Sequence, residues 1–106
     1  MGKLVKSIRL NNLEYNPNRD PQAYRRVVGM PFRVDVFLDG RGKARAKIEV
    51  DGVIRCNRSI DLPGRLSCEF SLDSPGTRIA TLVVEGADES YQRHFRLDVM
   101  AQAGVG

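Results

Sequence analysis

Apolar and polar positions alternate with a period of two along most of this chain. Phe32, Val34, Val36 and Leu38 alternate with Arg33, Asp35 and Phe37, and Asp39-Gly40 closes the run. Ala44, Ala46, Ile48 and Val50 then alternate with Arg45, Lys47 and Glu49. Successive side chains of a strand point to opposite faces, so each run predicts one core face and one solvent face. Asp51-Gly52 predicts a hairpin turn, because both residues can take positive φ. A strand over 53–62 follows, then Pro63-Gly64, then a strand bearing Leu66, Cys68, Phe70 and Leu72. Ser74-Pro75-Gly76 ends it. The nearly continuous apolar run 79–85 predicts a central strand, and 91–99 closes the chain with Phe95, Leu97 and Val99 inward.

With an N-terminal strand around 4–13, this makes about seven short strands, with turn residues every eight to twelve positions. The spacing predicts an all-β sandwich or barrel. No window carries a helical apolar stripe, although 21–28, "PQAYRRVV", could form one helical turn. That segment lies in the longest irregular connection, and long loops on rigid scaffolds are where binding surfaces concentrate. The loop 14–29, with Tyr24, Arg25 and Arg26, is therefore a candidate partner surface. Phe37 joins it as an apolar ring in the polar phase of its strand, expected to pack under that loop or to mark a partner surface.

Five turn and strand motifs occur in a fixed order: Gly29-Met30-Pro31, Asp51-Gly52, Leu62-Pro63-Gly64, Phe70-Ser71-Leu72 and Pro75-Gly76. In this order they resemble the bacterial immunoglobulin-like modules, and most of all the cell-adhesion-related domain of bacteria. The resemblance covers roughly residues 29–100. It implies a seven-stranded, immunoglobulin-like (fibronectin III-like) antiparallel β-sandwich. The chain lacks the Asn-x-Gly that usually follows the second strand of that family, and it has no tryptophan. These motifs are turn chemistry and alternation, which specify architecture and not activity.

The 106 residues suffice for one domain, expected over 1–101, with 102–106 as a flexible tail. No apolar stretch approaches the roughly 20 residues needed to cross a bilayer as a helix. The start, "MGKLVKSIRL", has no apolar h-region and does not read as a signal peptide.

Cys56 and Cys68 share the parity of the inward residues Ile54, Ile60, Leu66 and Phe70. A tight hairpin at Pro63-Gly64 would set Cys68 opposite residue 59 or 60, leaving Cys56 several residues away. A disulfide between them needs a wider loop or a strand that switches sheets. Two readings stand open: an inter-sheet staple in an oxidising compartment, or two small buried hydrophobes. The first implies an extracytoplasmic location and the second a cytoplasmic one. A catalytic thiol is not expected, since only Arg55 and Arg58 are near to depress its pKa. The twelve-residue spacing is not a zinc pattern.

Other chemistry is sparse. One histidine, His94, leaves little room for a nucleophile–histidine pair. The "GRGKAR" stretch at 40–45 is expected to be a solvated hairpin loop, with no helix after it to hold a phosphate. Asp73, Glu85, Asp88 and Glu89 lie in or beside turns without the spacing of a calcium loop. Neither metal, nor cofactor, nor enzymatic activity is expected. The formal net charge of +4 raises a polyanion-binding face on Arg33, Arg41, Arg45 and Lys47. Asp35, Glu49 and Glu69 interleave with them, which is the ordinary pattern of a solvated face. The expected partner is thus a protein or a parent multidomain chain, with nucleic acid the alternative; an accessory subunit of a larger complex is a third class.

Overall fold

The computed structural model describes residues 4–16, 18 and 24–101. Among these the chain is all-β: β1 (Val5–Leu10), β2 (Leu13–Glu14), β3 (Arg25–Val27), β4 (Pro31–Val50), β5 (Val53–Ser71), β6 (Gly76–Glu85) and β7 (Ser90–Met100). No helix among the described residues is long and apolar enough to cross a membrane. The expected tail 102–106 lies outside the described residues, as do Pro21, Gln22 and Ala23 of the expected helical turn. Of the described part, Tyr24 is in a 3-10 turn, while Arg25–Val27 departs from the expectation: it is extended and pairs in parallel with β7, Arg25 opposite Asp98 and Val27 opposite Met100.

The four strands expected between 32 and 72 are two. β4 and β5 form one hairpin of 20 and 19 residues, joined at Asp51-Gly52 and paired from Val50–Val53 out to Pro31–Ser71. Asp51 and Gly52 have φ of 49° and 85°, as a two-residue hairpin turn of this twist demands. The "GRGKAR" stretch is therefore no hairpin loop. Leu38 pairs with Gly64 and Gly42 with Leu62, so Asp39, Gly40 and Arg41 bulge opposite Pro63. Gly40 and Gly42 take φ of 117° and 81° there, which a β-carbon would resist. The Leu62–Pro63 peptide is cis. Both strands are interrupted at one level, and the hairpin bends there.

The bend makes the architecture. β5 occupies one edge of β4 over its whole length, so β1 and β6 must share the other edge. They do so end to end: β1 pairs with Val34–Leu38, and β6 with Arg45–Val50. The result is one curled sheet, ordered β2-β1-β4-β6-β7-β3 with β5 alongside β4. One arm of the hairpin carries β1 and β2; the other carries β6, β7 and β3. β6 is flanked by β4 and β7, the central position that its apolar run predicts.

The alternating residues of both arms meet in a single core. Phe32, Val34, Val36 and Leu38 from one arm and Ala44, Ala46, Ile48 and Val50 from the other are all buried in one cluster. Leu66, Phe70, Leu82, Phe95, Leu97 and Val99 complete it, and Phe32 stacks on its cross-strand partner Phe70 at 5.9 Å. Removing this apolar area from water is the main force holding the curl closed.

Candidate functional site

Cys56 and Cys68 are joined in a disulfide with an S–S distance of 2.05 Å and a Cα–Cα distance of 6.1 Å. Cys56 lies opposite Ile48 on one arm and Cys68 opposite Val34 on the other. The bridge therefore spans the two arms of the bent hairpin, the strand that changes arms being β5 itself.

The expected partner surface divides. Tyr24 is 5% exposed and belongs to the core; its hydroxyl accepts a hydrogen bond from the Asn16 backbone N–H at 3.2 Å, and its ring lies 5.9 Å from that of Tyr15. Arg25 and Arg26 are half-buried on β3, and Arg26 donates to the Pro31 and Arg25 carbonyls. Phe37 is half-buried on the outer face of the other arm, with the Arg65 guanidinium 5.9 Å from its ring centroid. Arg65 sits directly opposite on β5, a stacking that suits an arginine. The part of the 14–29 loop at 17 and 19–23 lies outside the described residues.

The expected polyanion residues share one strand but not one surface. Arg33 is on the first arm, where its Nε donates to Asp35 Oδ2 at 3.0 Å. Arg41 sits in the bulge. Arg45 and Lys47 are on the second arm, Arg45 donating to Asn57 Oδ1 at 2.9 Å. Arg55 and Arg58 are exposed on the neighbouring β5. Lys43 faces Asp61 at 3.7 Å and Arg78 faces Asp51 at 3.4 Å, while Arg45, Lys47, Arg55 and Arg58 have no carboxylate within ion-pair distance among the described residues. Four cations without an ion pair among the described residues thus lie on the outer half of the hairpin, and others lie elsewhere, among them Arg65 on the inner half of β5 and Arg25 and Arg26 on β3.

Two polar residues escape sequence reasoning. Asp35 is in the solvent phase of its strand, yet it is only 4% exposed. Its carboxylate accepts from Ser67 Oγ at 2.6 Å and from Arg33. Burial raises its pKa, but those two hydrogen bonds and the charges of Arg33 and Arg65 outweigh burial and hold it below the usual aspartate value. Tyr91 lies in the inward phase of β7, near the Arg93 guanidinium that covers the Tyr15 ring at 5.4 Å. Its hydroxyl is buried without a hydrogen-bond partner among the described residues. Desolvation raises its pKa above the ordinary phenol value, against the charge of the nearby Arg93 guanidinium, which approaches the hydroxyl closely enough to lower the pKa but makes no hydrogen bond of good geometry. His94 is exposed, as expected, with Nδ1 at 3.0 Å from Thr81 Oγ1. Among the described residues no three His, Cys, Asp or Glu converge to hold a metal ion.

No protein-family model matches the chain, and no curated protein matches it in sequence. The crystal structure of a CARDB domain from Pyrococcus furiosus, solved in complex with di-metal ions, matches it in backbone with a TM-score of 0.63. The fold is similar to that of a CARDB domain. The match covers 96% of this chain and 99% of that one at 12% sequence identity. At that identity the likeness concerns the path of the backbone and not the residues of any site.

Proposed function

We propose that the chain is a non-enzymatic immunoglobulin-like β-sandwich module that mediates protein–protein or cell-surface interaction, or spaces the parts of a larger chain. The likeness to a CARDB domain, over nearly the whole length of both, carries this reading. The Cys56–Cys68 disulfide supports an extracytoplasmic, oxidising setting, where such bonds persist.

The test is capture on the immobilised, oxidised domain from native extract, with and without nuclease, at low and high salt. Captured proteins are identified and re-bound in purified form. A purified protein that binds after both treatments supports the module. Retention lost entirely to nuclease or salt would favour the second reading, a polyanion binder. The unpaired Arg45, Lys47, Arg55 and Arg58 favour that reading, and its affinity would fall steeply with salt.

A further inference from the structure

The outer half of β5 differs from every other long strand segment in the fold. Not one residue from Val53 to Leu62 is buried, whereas its partner β4 buries Ala44, Ala46, Ile48 and Val50 over the same stretch. β5 pairs with β4 alone, so among the described residues its second edge of backbone N–H and C=O groups has no strand beside it. Within this stretch the ladder is regular from Ile48–Cys56 to Gly42–Leu62, ending at the register shift before Cys56 and at the bend after Leu62. The regular open edge of this outer half is therefore seven residues long, Cys56 to Leu62.

Its side chains set what can lie there. On the core-facing side, Arg58 stands between Cys56 and the half-buried Ile60 and Leu62. On the other side Asn57, Ser59 and Asp61 are exposed, with the unpaired Lys47 and Arg45 one strand behind. Asp61, the one carboxylate on this edge, lies on the opposite face from Arg58, 3.7 Å from Lys43 in an exposed pair. A second copy of the chain is a poor occupant, because edge-to-edge pairing would bring four arginines, Arg55 and Arg58 twice, to one seam.

We propose that the Cys56–Leu62 edge receives an acidic extended segment of another protein by strand addition. The segment is about seven residues long, with an acidic side chain opposite Arg58 flanked by apolar ones opposite Cys56 and Ile60. Main-chain hydrogen bonds supply the affinity of such pairing, and alternate side chains supply the specificity. Antiparallel addition is the commoner ladder. The inference rests on the module reading and names its surface and the chemistry of its partner.

The probe is the capped peptide Val-Thr-Val-Thr-Glu-Glu-Val, titrated into the oxidised protein while backbone amide resonances are followed. The expected result is shifts concentrated at Cys56–Leu62, with binding weakened roughly tenfold or more by Arg58→Glu. A peptide with Lys-Lys for Glu-Glu should recover binding to that variant. Arg58 is exposed, and an otherwise unchanged spectrum shows that the variant is folded. Three results would overturn the proposal: no shifts on β5, equal binding of a peptide with proline at alternate positions, or concentration-dependent self-association through these amides. Equal displacement of the peptide by heparin and by its proline version would make charge alone the determinant, and would overturn it as well. Capture of a purified partner that is unaffected by Arg58→Glu would refute the edge but leave the module standing. Peptide binding without any captured protein partner would do the reverse.

Discussion

Cys56 and Cys68 lie on one strand, twelve residues apart, with their Cα atoms 6.1 Å from each other. A straight strand of that length would separate them by about 40 Å. The bend beside Pro63 removes that distance, and the disulfide fastens the two arms across the core.

Fastening a loop of this size restricts the unfolded chain and contributes about 3 kcal/mol. Reduction, or Cys56→Ala with Cys68→Ala, should lower the unfolding free energy by about 2–4 kcal/mol, read as a lower urea midpoint. A midpoint unmoved by reductant would mean that packing alone holds the arms.

Asp35 should give the fold part of its acid sensitivity. Its folded pKa lies below its unfolded value, so its contribution is complete above about pH 4 and is lost as pH falls through the folded value. Asp35→Asn should flatten the loss of stability on acidification. Asp35→Ala leaves Ser67 and Arg33 without their acceptor and should cost about 1–3 kcal/mol at neutral pH. Denaturation curves between pH 2 and 7, a range spanning the usual aspartate value, provide the check; identical slopes for wild type and the Asn variant would contradict this account.

Tyr91 should act at the other end of the scale. Its folded pKa is raised, so stability is lost as pH rises from about 10, the unfolded value, through the folded one. Tyr91→Phe deletes a buried hydroxyl without a partner and should leave stability unchanged or raise it by up to about 1 kcal/mol. A clear loss of stability in the phenylalanine variant at neutral pH would show that the hydroxyl is bonded.

Gly64 is closed to any side chain. A β-carbon there would run into the Asp61 carbonyl oxygen and approach Ile60 Cγ2 at 2.7 Å. Gly64→Ala must displace backbone at the bend, and should cost about 1–3 kcal/mol. For a domain of this size that corresponds to roughly 4–8 °C in Tm per kcal/mol. An unshifted Tm would show that the bend tolerates a wider opening.

The inward faces of β4, β7 and the inner half of β5 were legible in the sequence; the connectivity was not. Nor was the outer half of β5, where Ile54, expected inward, is 53% exposed because no second strand among the described residues covers that arm's edge. Alternation identified Phe32 to Leu38, Ala44 to Val50 and Phe95 to Val99 as core faces, because burial follows strand parity directly. Asp39-Gly40 and Pro63-Gly64, however, carry the same residues whether the chain reverses or merely bends. Turn chemistry specifies φ and ψ, and the choice between reversal and bend depends on which strand lies opposite. Here the two interruptions face each other, so one hairpin replaces four strands. The same blindness to register hid Asp35, whose cover comes from Ser67, thirty-two residues away in sequence. Tyr24 read as a loop residue because no periodicity in its segment revealed the short strand that follows it. The disulfide was readable only as a condition, a wider loop or a strand that switches sheets; what brings the thiols together is instead the bend of β5 within one sheet.

The long hairpin also orders events in time. From Val50–Val53 outward to Pro31–Ser71, each new pair closes only the few residues beyond the last one. By contrast Arg25 must find Asp98, and Val5 must find Leu38, closures whose entropy is lost before any contact repays it. The hairpin can thus zip as a local unit that is already the middle of both arms, and the flanking strands dock onto an edge that exists. Pulsed amide exchange during refolding should find protection on β4 and β5 ahead of β1 and β3.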